Sequence, residues 1–111
     1  MANAPRGEIE ATFSGKTYRL CLTLGALAQL EEKFQVDDML ALAERFENGR
    51  LKSHDAIRIL TAGLQGAGYD ISETEVETFQ VEGGAVGFVK IVADLLSATF
   101  NDDAAGSELN P

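Results

Sequence analysis

One cysteine and one histidine in 111 residues leave few ways to build a catalytic or metal centre. A single cysteine, Cys21, makes no internal disulfide, which suits a reducing cytoplasm. Tryptophan is absent and proline occurs only twice, so there is no Pro-rich linker to divide the chain. Basic residues are few, 9 against 18 acids, for a net charge of −9. They are also scattered: Arg6, Lys16, Arg19, Lys33, Arg45, Arg50, Lys52, Arg58 and Lys90. A partner with a phosphate backbone calls for clustered Lys and Arg, so nucleic acid is excluded as the expected partner. No apolar run approaches the ~20 residues of a membrane span, and Met1 to Gly7 lack the apolar core of a signal peptide. The expectation is a cytoplasmic protein with no membrane partner.

What the chain does have is pattern. Glu8-Ile9-Glu10-Ala11-Thr12-Phe13 alternates polar and apolar, which predicts a strand over 8–13 with Ile9, Ala11 and Phe13 inward. Ser14-Gly15-Lys16 follows, and Gly15 supplies the positive φ of a tight hairpin turn. A second strand is predicted over 17–23, with Tyr18, Leu20, Leu22 and Leu24 on one side and Arg19, Cys21 and Thr23 on the other. Thr12, Thr17, Arg19, Cys21 and Thr23 then form the outer face. A hairpin alone is marginal in water, so its apolar face must rest on helices.

Helical spacing begins at once. Leu27, Leu30 and Phe34 form the stripe of a first helix, with Thr23 as its N-cap. Asp37 is the expected cap of a second, with Asp38 in its first turn, buried through Met39, Leu42, Ala43 and Phe46 and stopped by Asn48-Gly49. Ser53 opens a third helix with stripe Ile57, Leu60, Thr61 and Leu64. Ile59 and Ala62 lie off that stripe and predict contact on a second side, and Gly66 and Gly68 end the helix. Ser72-Glu73-Thr74-Glu75 is a capping box, with Ile71 and Val76 placed as a hydrophobic staple for a short helix through Phe79. Gly83-Gly84 precedes a last helix over 85–100, apolar almost all round, which is either the central helix or one that shows a surplus face to a partner. The fold class predicted is mainly α with an N-terminal β-hairpin, an α+β arrangement of two antiparallel strands and about five helices. Residues 7–100 are the expected single domain, with a flexible lead-in over 1–6 and a disordered acidic tail over 101–111.

Chemistry is hard to find. His54, beside Asp55, has no recognisable nucleophile to serve, and reads as an exposed helix-start residue. Cys21 lies near the helix start at Thr23 but has no identifiable base, and reads as a small half-buried filler. Asp37-Asp38, Asp102-Asp103 and the Glu73/Glu77 pair lack the loop of a calcium site, and are better explained as caps and solvated faces. Gly66-Ala67-Gly68 and Gly83-Gly84 are helix stops, not phosphate loops. No catalytic, cofactor-binding or metal-binding residue is therefore assigned, and no cofactor is expected. Two surfaces remain as candidate partner-binding sites. One is the hairpin edge with Thr17, Arg19 and Cys21, which could accept a strand from a partner or from another copy unless the same chain shields it. The other is the last helix through Phe88, Ile91 and Leu95, which could equally be core.

Leu22-Thr23-Leu24-Gly25-Ala26-Leu27-Ala28-Gln29-Leu30-Glu31, after short strands joined by Gly15-Lys16, resembles the small tail proteins of gene transfer agents and related phages. Leu42-Ala43-Glu44-Arg45-Phe46, Asn48-Gly49-Arg50-Leu51 and Ile59-Leu60-Thr61-Ala62-Gly63-Leu64 agree, so the resemblance covers roughly positions 7 to 100. It implies a non-enzymatic tail assembly chaperone that binds a tape measure or tube protein during particle assembly. Some members are described as tail tube proteins, so the alternative implied is a tube or tail-tip subunit retained in the particle, possible as a homo-oligomer. Tube subunits polymerise through extensive β-sheet, and two strands are few for that role. A small enzyme or an acidic nucleic-acid mimic is the reading from another class. The acids outside residues 70–82 are too scattered for a phosphate-like row.

Overall fold

The computed structural model describes residues 7–46 and 51–100. The predicted lead-in over 1–6, the Asn48-Gly49 helix stop and the acidic tail over 101–111 lie outside the described residues. Strands β1 (Glu8–Phe13) and β2 (Lys16–Cys21) pair antiparallel, from Phe13 opposite Lys16 to Glu8 opposite Cys21. Their turn has Ser14 at φ 52° and Gly15 at φ 83°, the two left-handed positions of a type I′ turn, whose twist matches that of the strands. Strand β2 stops two residues before the predicted end because the chain must reach a helix cap. Thr23 is extended at ψ 170°, and its Oγ1 accepts from the Ala26 N–H at 3.1 Å. Leu24, expected in the inward row of the strand, is instead the first residue of α1 (Leu24–Phe34) and 75% exposed. The helical period has turned it away from the sheet.

Helix α1 buries Ala26, Leu27, Leu30 and Phe34 and closes on Gln35, left-handed at φ 57°. Asp38, one position later than expected, caps α2 (Met39–Arg45), its Oδ1 accepting from the Ala41 N–H at 2.8 Å. Of the predicted stripe of α2 only Leu42 is fully buried, and Met39 is exposed. The capping box before α4 (Glu73–Val76) forms as predicted. The Glu75 carboxylate accepts from the Ser72 N–H at 2.9 Å, and Ser72 Oγ accepts from the Glu75 N–H at 3.3 Å. That helix ends at Val76, however, and a turn carries the chain on to Phe79.

The central element is α3 (Ser53–Gly66), not the last helix. Ala56, Ile59, Leu60, Thr61, Ala62, Gly63 and Leu64 are all buried, so its apolar contacts run almost round its circumference. The expected contact of Ile59 and Ala62 on a second side is thus present. Helix α3 touches β2, α1, α4 and α5 (Gly84–Phe100). Thr61, buried on it, donates to the Ile57 carbonyl at 2.7 Å and so carries no unmet hydroxyl into the core. Close packing is set by Gly63, where a Cβ would come within 2.8 Å of Leu95 Cδ2 and 3.3 Å of Leu20 Cβ. Phe13, Leu20, Leu30, Leu42, Leu60 and Leu95 join one continuous core cluster. Among the described residues no helix is long and apolar enough to cross a membrane.

Candidate functional site

A two-residue turn fixes which backbone groups of the hairpin pair with each other and which face outward. Phe13–Lys16, Ala11–Tyr18 and Ile9–Leu20 exchange their hydrogen bonds within the ladder. The alternate residues, Glu8, Glu10 and Thr12 on β1 and Thr17, Arg19 and Cys21 on β2, turn N–H and C=O to the two outer edges. The β2 edge is covered. Tyr69 Oη accepts from the Arg19 N–H at 3.3 Å, and Gly66, at the end of α3, lies so close to the Cys21 carbonyl that a Cβ there would collide with it. The sequence leaves open whether the edge with Thr17, Arg19 and Cys21 is free or shielded by the same chain; Arg19 and Cys21 meet intramolecular neighbours.

The β1 edge faces a groove instead. It is about 730 Å³ in volume and lies between β1, the segment Gln80–Glu82 and the first half of α5. At one end the Ser14 N–H donates to the Gln80 carbonyl at 2.7 Å, and the Gln80 N–H returns a bond to Ser14 Oγ at 3.1 Å. Those bonds fix the segment beside the hairpin turn. Beyond them the outward groups of Glu10 and Thr12 have no partner among the described residues.

The outer face of the hairpin is also more charged than expected, because Glu8 and Glu10 belong to it. Glu8 and Arg19 form an ion pair at 3.6 Å, and the Thr12 and Thr17 hydroxyls hydrogen-bond at 3.2 Å. Thr23 is not on this face, since it caps α1. Cys21 is half-buried, and burial first, then the nearby Glu8 carboxylate, pushes its thiol above the ordinary range. A nucleophilic cysteine needs the opposite shift. His54 is exposed at the start of α3. Its neighbour Asp55 is buried, accepts from the Lys52 N–H at 3.2 Å and meets Arg45 at 3.9 Å, which makes it a helix-start residue. Among the described residues no group of acids, His and Cys is clustered for a metal ion.

On α5 the three expected contact residues separate. Leu95 is fully buried against Gly63 and belongs to the core. Phe88 is half-buried, its ring stacked 6.3 Å from that of Phe13, and Ile91 is half-buried at the floor of the β1 groove. What α5 does expose is Val86 and Val89, at 76% and 45%. Val89 borders an apolar cleft of about 270 Å³ with Ile57, Val76, Phe79 and Phe88. The apolar run over 85–92, broken only at Lys90, is the sequence signal for this surface, but its period does not say which residues face the core.

A family model described as phage tail tube protein, GTA-gp10, matches residues 6–102. No curated protein and no solved structure matches the chain.

Proposed function

The chain belongs to the family described as phage tail tube protein, GTA-gp10, and from that premise we propose that it is a structural subunit of a gene-transfer-agent-like tail, kept in the finished particle. The match over residues 6–102, nearly the whole chain, carries this reading. Its contacts are with other tail proteins or with further copies of itself, and it does no chemistry. In this reading residues 7–100 act as one folded unit.

A second reading, a tail assembly chaperone working in the host cytoplasm on a tape measure or tube protein, is favoured by a particular observation. Among the described residues the sheet has two strands of six residues each. One of its edges is taken by Tyr69 and α3, so the hairpin can be extended on one side only. A tube wall of continuous sheet needs both. Quantitative mass spectrometry of producing-cell lysate and of purified particles from the same culture separates the two. A fixed, ring-like copy number per particle is the result expected of a subunit. Abundance in lysate with absence from particles would overturn that and leave the chaperone.

A further inference from the structure

We propose that the open edge of β1 is a docking site for an extended, basic strand of another tail protein, added to the hairpin as a third strand. Glu10 and Thr12 present to the groove N–H and C=O groups that have no partner among the described residues, at the spacing of an antiparallel ladder. Unpaired strand edges of this kind recruit extended segments through main-chain bonds, while side chains at alternate positions give specificity.

Charge decides the occupant. Glu10 and Glu82 line the groove; of the bases nearby, Arg19, opposite Glu10, is paired with the largely covered Glu8 at 3.6 Å, and Lys90 lies 3.6 Å from Asp94. A second copy would have to bring its own β1. The register that uses the whole edge is centred on Glu10 and sets it against the Glu10 of the other copy, and like charges directly opposite are destabilising. A segment with Lys or Arg at alternate positions places one of them against the exposed Glu10 on the outer face of the enlarged sheet. Its intervening residues point inward, where Ala11, Val81 and Ile91 border the groove, and should be small and apolar. The occupant is thus an alternating basic and apolar strand. The inference rests on the tail reading only for assigning that strand to a tail protein. Peptide binding tests the edge and particle composition tests the tail role, so either can fail alone.

The experiment titrates the isotope-labelled full chain with a blocked heptapeptide of alternating lysine and valine, following amide shifts and hydrogen exchange. Saturable binding that slows exchange of the Glu10 and Thr12 amides is expected. Glu10→Lys, an exposed substitution, should weaken binding by about tenfold. Thr12→Pro, which removes an outward N–H of an edge strand, should weaken it as well. The counterpart peptide of glutamate and valine should not bind. Failure of the lysine peptide to saturate, equal affinity for the wild type and both variants, or shifts centred on Val86 and Val89 would each overturn the proposal. So would a concentration-dependent dimer of the free protein that protects the same amides, because the occupant would then be a second copy.

Discussion

Gly66 lies where α3 crosses the end of β2, and nothing larger than hydrogen fits between its Cα and the Cys21 carbonyl. Gly66→Ala gains helix propensity but forces two backbones apart, so a net loss of about 2 kcal/mol or more is expected from the urea midpoint. Gly25, in the first turn of α1, is different: a methyl group there would meet only Thr23 Oγ1, at 3.9 Å, an ordinary contact. Gly25→Ala should therefore raise stability by about 0.5 kcal/mol. Equal effects at the two glycines would show that steric contact is not what distinguishes them. Cys21 gives a second residue-scale test. Its raised thiol stabilises the fold below the ordinary thiol range, and that contribution is lost as pH rises through the raised value. Alkylation of the native protein at neutral pH should be slower than that of a free peptide thiol, and Cys21→Ser should change stability by less than ~1 kcal/mol. Fast alkylation would sink this account of the site. Local chemistry of this kind is largely legible in the sequence: the Gly15 turn, the Thr23 cap and the Ser72–Glu75 box all form where their residue types require. The cap of α2 falls on Asp38 and not on Asp37 because two adjacent aspartates are equally good caps until the backbone chooses between them.

At the scale of the element, α5 divides along its length. Its buried residues are Val92 and Leu95, while Val86 and Val89 in its first turns are exposed. Leu95→Ala should cost about 3 kcal/mol, because it removes a fully buried side chain that packs on Gly63. Val86→Lys and Val89→Lys should each shift stability by no more than ~0.5 kcal/mol, measured by thermal unfolding of the single variants. A large loss at either valine would mean that the surface is covered in solution. The sequence leaves open whether this helix is central or peripheral, and for a physical reason. Apolar count reports how much surface an element can bury, whereas the central place goes to the helix that neighbours can approach most closely. Gly63 and Ala62 give α3 that close approach, with Leu20 on one side and Leu95 on another. The same limit applies to the candidate site. The outer face of Thr17, Arg19 and Cys21 can be read from the strand period, but the cover over its edge comes from Gly66 and Tyr69, far along the chain. No local pattern could show that the β1 edge stays open while the β2 edge closes.

For the whole molecule, the position of α3 governs how the fold comes apart. It contacts β2, α1, α4 and α5, so opening any one of these layers uncovers residues that α3 holds in the shared core. The hairpin has little independent support: two strands are marginal alone, and its inner residues Phe13 and Leu20 are fully buried only because helices lie on them. Hairpin and helices should therefore unfold together, as small domains with one core usually do. The chain reports the two parts separately. Its two tyrosines, Tyr18 and Tyr69, meet edge to face at 5.2 Å between strand and helix end, with Phe79 5.4 Å from Tyr18, and tryptophan is absent. Tyrosine fluorescence thus follows the docking of the hairpin, while far-ultraviolet circular dichroism follows the helices. In urea the two transitions should coincide, and Leu60→Ala should lower both midpoints together, at a cost of about 3 kcal/mol. An earlier fluorescence transition would instead make the hairpin a separately opening unit, free to leave α3 before the helices melt. The β1 edge would then be presented on a mobile arm, and a third strand would bind at the added cost of ordering that arm.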